Sequence, residues 1–219
     1  MSQTAERQRG PDNQGRQSRR SARTRERILD AATFVFARRG FHGTRVADIA
    51  DHAGIAYGLV YHHFRNKEEI LAAIYSDQWG TYVRYLEELR GSALSFPDKV
   101  AKLVHFWVTI YRQEPHLMTV MMNEITRSYE FLESHDIGTV LVAFDAIQGI
   151  VEEGQRSGMV RPGLDAQVAT YMILGVAEMI LTGYVMGTLP RRDDAGFVRD
   201  EEQIIEMLLH GMSSESKGI

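Results

Sequence analysis

Apolar side chains return every third or fourth position along this chain, from Ile28, Leu29, Ala32, Val35 and Phe36 near its start to Ile204, Ile205, Leu208 and Leu209 near its end. That is the period of one face of an α-helix, and no useful stretch alternates every second residue as a half-buried strand would. Gly and Pro interrupt the pattern at Gly40, Gly54, Gly91, Pro97, Pro115, Gly158, Pro162, Gly163 and Pro190, which divides it into separate helices joined by turns. The fold class is therefore all-α. With 219 residues, 44% of them hydrophobic, the chain can bury a real core. It has no cysteine, which excludes a disulfide framework, a thiolate metal site and a thiol nucleophile and suits a cytoplasmic location.

The formal net charge of -4 conceals an asymmetry. Residues 1–67 carry 13 Lys and Arg against 6 Asp and Glu, a net of +7, whereas residues 68–219 carry 12 against 23, a net of -11. A basic part and an acidic part of this size imply different tasks, the basic one facing a polyanion. Residues 1–22 are rich in Gln, Arg, Ser and Gly, contain almost nothing to bury, and are expected to form a disordered basic arm. Arg19 and Arg20 are followed by charged residues rather than an apolar stretch, so they do not form an export signal.

Residues 23–67 read as three short helices. The first starts at about Thr24 and ends at Gly40; the second is capped by Thr44, with Asp48 in its first turn, and stops at Gly54. The third covers Tyr57 to His63. Asn66 and Glu69 then read as a capping box opening a long helix from Lys67 to about Arg90. In RVADIADHAGIAYGLVYHHF, Ala50, Gly54 and Val60 meet the requirements of a helix-turn-helix: a small residue where the second helix crosses, a glycine at the turn and an apolar lock. Val60 and Phe64 read as core.

The stretch TRERILDAATFVFARRGFHGTRVADIADHAGIAYGLVYHHFRNKEEILAAIY resembles the DNA-binding domain of the TetR family of transcriptional regulators. The features carrying the resemblance are Gly40-Phe41, Thr44, Ala53-Gly54-Ile55, Gly58, Tyr61, Phe64 and Lys67-Glu68-Glu69. It implies an N-terminal helix-turn-helix domain joined by a long helix to a C-terminal helical ligand-binding and dimerisation domain, residues 68–219. It also implies a homodimer whose third helices enter the major groove of a palindromic double-stranded DNA operator. A small-molecule effector bound to the larger domain would release it, as in a repressor. Carried over by position, Thr44 and Lys67 would meet phosphate, and Tyr57, Gly58, Tyr61, His62 and His63 would face the groove. Arg23, Arg25 and Arg45 join them on charge.

Two residues depart from the family pattern. Ala56 stands where Ser or Thr commonly caps the reading helix and lacks a side-chain acceptor, a loss of about 1 kcal/mol. Leu59 stands where a Thr commonly approaches the groove; it can touch a thymine methyl but cannot hydrogen-bond. His62 and His63 point about 100° apart on a helix, so no metal is expected there. No cofactor is expected either.

In the acidic part, helices are predicted near 97–112, 116–129, 136–157, 165–188 and 200–212. The first two are apolar around most of their circumference, suited to burial on several sides or to lining a cavity. Trp107, Met118, Met121, Met122 and Phe144 are candidate walls for an elongated apolar effector, and His105, Arg127, Gln148 and Glu178 candidate polar groups, Arg127 for an anionic end. The run from Glu124 to Phe131 and the stretch GIVEEGQRSGMVRPGLD are similar to the fatty acyl-CoA-responsive subset of the family, which implies an acyl-CoA thioester as a candidate effector.

Val168 to Leu189 carries one charge, Glu178, and is long enough to span a bilayer, which makes a membrane-tethered regulator a rival reading. Its strongly apolar residues contribute roughly -4 kcal/mol to insertion against roughly +3 for the central acid, before glycines and polar groups are counted. Stable insertion is therefore not expected. Gly175, Ala177, Gly183 and Gly187, with Ile204, Ile205, Leu208 and Leu209, instead suit a dimer interface through the last two helices. An enzyme is disfavoured because there is no phosphate-cradling glycine loop, GxSxG elbow or HExxH, and Glu152 and Glu153 are adjacent on one helix. A sequence-independent DNA binder using only the basic arm is the other alternative.

Overall fold

The structure, a computed structural model, describes residues 11–125, 138–190 and 192–213. Its helices are α1 (Pro11–Arg39), α2 (Val46–Ala53), α3 (Tyr57–His63), α4 (Lys67–Gly91), α5 (Phe96–Gln113), α6 (Pro115–Ile125), α7 (Gly138–Arg156), α8 (Ala166–Met186) and α9 (Asp194–Met212). Among the described residues there is no strand, only an isolated bridge between Val160 and Ser213. The all-α reading holds. The chain forms two compact units, residues 1–74 and 75–219, and α4 contributes residues to both.

In the first unit, Ile28, Ala32, Val35 and Phe36 of α1, Ile49, Ala50 and Ala53 of α2, Val60 of α3 and Phe64 are buried. α1 packs on α2, and α2 on α3. The turns are set by Gly40 and Gly54, at φ of 72° and 63°, left-handed values that cost a residue with a Cβ. The Gly54 and Ile55 N–H groups donate to the Asp51 and Ala50 carbonyls, each at 3.1 Å, closing α2.

Three local expectations change. α1 begins at Pro11, so residues 11–22 continue the helix where a disordered arm was expected. The composition of those residues argues against burial, but Arg, Gln and Ala are helix formers and Pro suits the first helical position. Thr44 does not cap α2: it is buried, and its hydroxyl donates to the Gly40 carbonyl at 2.8 Å. Arg45 takes the N-cap position, and Asp48 accepts from the Arg45 N–H at 2.9 Å and from Arg39 at 2.6 Å. These contacts, the backbone bond first, hold the Asp48 carboxyl below its ordinary value. At α4, Asn66 accepts from the Glu69 N–H at 2.8 Å as expected, but the Glu69 carboxylate reaches back to the Arg65 N–H at 2.7 Å.

In the second unit, α5 lies at the centre and packs against α6, α7, α8 and α9. Lys99 of α5 is fully buried; its ammonium donates to the Arg90 carbonyl near the end of α4 at 2.9 Å and to Glu153 of α7 at 2.7 Å. One cation thereby joins three helices. α8 is long and apolar enough to cross a membrane, yet Ala169, Ile173, Ala177 and Leu181 lie in the core of this unit.

The residues expected at a dimer interface are mostly used within the chain. Ile204 and Leu208 are core, and Ile205 and Leu209 pack against it. Ala177 is buried, a Cβ on Gly183 would meet Leu189 at 2.9 Å, and Gly187 is the left-handed cap of α8. Gly175 differs from these, with open space where a Cβ would stand. The spacing of small residues thus registers packing inside the chain. The exposed apolar residues of α8 include Val168, Met172, Met179 and Met186, with Gly175 half-buried between them.

Replacing Glu153 with Gln leaves the buried Lys99 ammonium without its anion, and a lost hydrogen bond to a charged group costs about 1.5–3 kcal/mol. Denaturant unfolding is expected to register a loss of that order, discounted because Glu153 is partly solvated.

Candidate nucleic-acid interface and ligand cavity

The short helix α3 is held from beneath by Val60 and Phe64, both buried as expected. Its N-cap, Ala56, has extended backbone and makes no side-chain cap bond. The outward face carries Tyr57 and Tyr61, 53% and 45% exposed, with Gly58, Leu59 and His62 also exposed and His63 half-buried. The two tyrosine hydroxyls are 3.0 Å apart, with rings edge to face at 5.0 Å. This pair pre-orients two polar tips on one face, and the bond to Tyr57 pushes the Tyr61 phenol up, so it remains a neutral donor. Burial, then the neighbouring His62 and Arg25, push the His63 imidazole below its ordinary value.

The basic residues divide into two groups. Arg23 and Arg45 are exposed, and the Arg25 guanidinium lies over the Phe64 ring, 5.7 Å from its centroid. Lys67 is different. Its ammonium donates to the carbonyls of Phe41 at 2.8 Å, Thr44 at 3.1 Å and His42 at 3.4 Å, and it lies 4.5 Å from the centre of the Phe41 ring. Three N–H groups meeting three carbonyls leave none for a phosphate. Lys67 is a clamp on the α1–α2 turn, and Thr44, with its hydroxyl spent on Gly40, belongs to the same turn; neither is presented as an open phosphate contact. Arg27, which carries no motif signal in the sequence, donates to the Ala53 carbonyl at 2.5 Å, tying α1 to the end of α2.

The second unit holds a cavity of about 350 Å³, within the range of small-molecule sites. Of the expected lining residues, Trp107, Met118, Met121, Met122, Phe144 and Glu178 are there. His105 is not: it is exposed, with Nδ1 3.1 Å from Glu201. Gln148 is not either; its amide donates to Glu152 along α7 at 2.9 Å. Arg127 lies outside the described residues. The wall that sequence reasoning misses is α4, which supplies Tyr75, Gln78, Trp79, Thr81 and Tyr82. Its mixed aromatic and polar pattern reads in sequence as an ordinary amphipathic helix, and only the packing reveals a wall. Tyr82 is fixed by a 3.0 Å bond from the Trp107 indole N–H and by stacking on Phe106; burial drives its phenol well up, so it stays protonated. The Tyr75 hydroxyl lies 3.2 and 3.1 Å from the Val120 and Met121 carbonyls.

A helix-turn-helix with an outward aromatic face and a separate helical unit enclosing an apolar cavity define a DNA-binding regulator with a ligand domain. Residues 28–74 match the family described as bacterial regulatory proteins, tetR family, and residues 97–194 match the tetracyclin repressor-like C-terminal domain. The chain belongs to the TetR family of transcriptional regulators.

It is 29% identical over 189 residues to the fatty acid metabolism regulator protein of Bacillus subtilis, covering 86% of this chain and 95% of that one. It is 28% identical over 217 residues to the transcriptional repressor KstR2 of Rhodococcus jostii, covering 93% and 95%. Among solved structures, the Bacillus subtilis regulator FadR in complex with stearoyl-CoA superposes with a TM-score of 0.74 at 28% identity, over 85% of this chain and 98% of that one. These relatives are transcriptional regulators, not enzymes.

Replacing Lys67 with Met should lower the stability of the first unit by about 2 kcal/mol, as removal of bonds from a charged donor requires. The salt dependence of DNA binding separates the two roles: a clamp leaves the slope unchanged, whereas removal of a phosphate contact would reduce it by about 0.9.

Proposed function

We propose that this protein is a repressor that binds a two-fold operator as a homodimer and leaves it when an elongated apolar ligand of the acyl-CoA class fills the cavity. The observation that carries the DNA half is Gly58. It stands in α3, where glycine costs about 1 kcal/mol relative to alanine, yet a Cβ there would meet nothing within 4 Å. The protein itself has no use for the missing side chain. A duplex pressed against α3 does, and Tyr57, Leu59, Tyr61 and His62 stand exposed beside it for base and phosphate contact. Arg23, Arg25 and Arg45 supply charge around them.

The effector half is supported by the cavity and by what the Bacillus subtilis regulator binds. The lining is methionine, aromatic and aliphatic, with Gln78, Thr81, Tyr82 and Glu178 among its polar groups, a composition for a long apolar chain rather than a sugar or a nucleotide. Dimerisation is supported by the row of Val168, Met172, Gly175, Met179 and Met186 along α8, with Val198 and Met207 exposed on α9. A second copy is a better cover for that row than lipid, because the opposite face of the same helix is packed into the core. Such a regulator works in the cytoplasm, with its DNA.

Selection from a pool of random duplexes at near-physiological salt tests the reading. Recovery of a palindromic site is expected, and recovery of no preferred sequence would leave only a sequence-independent binder. Gly58→Ala should raise the stability of the free protein by about 0.5–1 kcal/mol while weakening binding to the selected site. Ala177→Phe, placed in the cavity wall, should leave operator binding intact and abolish the thermal shift produced by stearoyl-CoA.

A further inference from the structure

The helical extension at the start of α1 carries a charge pattern of which the proposed function uses only Arg23. Arg16, Arg19, Arg20, Arg23 and Arg27 follow one another at intervals of three, one, three and four residues. At 100° per residue they fall within an arc of about 100° on the helix surface. Arg16, Arg19, Arg20 and Arg23 are exposed, and among the described residues none of these four makes an ion pair. The Thr24 hydroxyl back-bonds to the Arg20 carbonyl at 2.9 Å, so the helix is continuous through the stripe.

The rotation of the stripe is fixed at its lower end. Arg27 donates to Ala53, the last residue of α2, so this flank of α1 looks toward the α2–α3 turn. On the other side of the same turn of α1, Arg25 lies over Phe64, just after α3. The extension therefore leaves the unit beside the reading helix. From Arg27 to Arg16 the helix rises roughly 16 Å, a length over which a duplex presents several phosphates on each strand.

We infer that the extension is a rail for the phosphate backbone of the duplex flanking the operator half-site, with Arg16, Arg19, Arg20 and Arg23 as its contacts. The inference rests on the DNA-binding function proposed above. An anionic membrane is the weaker partner because the face opposite the arginines presents Ser18, Ser21 and Ala22, which offer no apolar surface to insert. Guanidinium groups on a rigid helix suit a regular row of phosphates and carry no sequence information.

The test uses the full chain and the duplex recovered by selection, with a scrambled duplex of equal length beside it. The variant with Arg16→Gln, Arg19→Gln, Arg20→Gln and Arg23→Gln should bind the selected site at least tenfold more weakly at near-physiological salt, with unchanged sequence preference. The slope of log affinity against log salt should fall by about 0.9 for each phosphate left without its arginine, or roughly 2 to 4 per subunit. Ser21→Pro keeps every charge but breaks the helix between Arg20 and Arg23, uncoupling Arg16, Arg19 and Arg20 from the core, and it should lose most of the same affinity. Circular dichroism and thermal midpoints confirm that both variants retain the rest of the fold.

Unchanged affinity and slope in the quadruple variant would overturn the inference. So would full binding by Ser21→Pro, which would make the segment a flexible charged arm, and so would arginine-dependent pelleting with phosphatidylserine vesicles but not with DNA. If the wild-type chain selects no duplex, the DNA-binding function itself fails; if it selects one and only the variants behave as wild type, the rail alone fails.

Discussion

One cation organises the start of α4. The Lys67 ammonium gathers the carbonyls of Phe41, His42 and Thr44, so the turn between α1 and α2 is tied to the first residue of the helix that follows the reading motif. Without it, three carbonyls in a tight turn would need other donors, and α2 would be placed by its apolar packing on α1, the Arg39–Asp48 pair and the Arg27 bond to Ala53 alone. α4 then continues as one helix to Gly91 and contributes Tyr75, Gln78, Trp79, Thr81 and Tyr82 to the cavity. Near its far end, the Arg90 carbonyl accepts from the buried Lys99. Lysines thus meet backbone carbonyls at both ends of α4, and in each case the charge is used for holding helices rather than for solvent.

Much of this architecture is legible in the residues, and the reasons are local. Gly40 and Gly54 mark turns because a left-handed φ is needed there, and Val60 and Phe64 mark core because they recur at the four-residue spacing of one helix face. The α1 extension escapes such a reading because low hydrophobicity suggests disorder, whereas helix propensity without burial can still be satisfied by a long helix anchored at one end. Thr44 and Lys67 are half legible for a different reason. Their type and position suit a phosphate contact as well as a turn clamp, and the distances to Gly40, Phe41 and Thr44 bring out the clamp, which no sequence pattern signals.

The cavity is half legible. Methionines and aromatics on α5 and α6 indicate adaptable walls, and several of them line it. A polar group inside an apolar helix suggests a ligand contact, yet His105 and Gln148 lie outside the lining and each bonds to a glutamate. The α4 wall is not legible, since nothing in its composition distinguishes a face packed on core from one bordering a cavity. The small-residue spacing on α8 misleads similarly: Gly183 and Gly187 serve Leu189 packing and a helix cap, while the free surface is a row of methionines.

A ligand-released repressor requires linkage between the cavity and the reading helix. If occupancy of one opposes occupancy of the other, the affinity for stearoyl-CoA must fall in the presence of the selected duplex by the same factor by which the affinity for the duplex falls in the presence of stearoyl-CoA. Both affinities can be measured by calorimetric titration on one preparation at one salt concentration. Equal reciprocal factors are expected, within the roughly 5- to 150-fold span of typical coupling. A factor of one in both directions, with both ligands bound at once, would contradict the linkage.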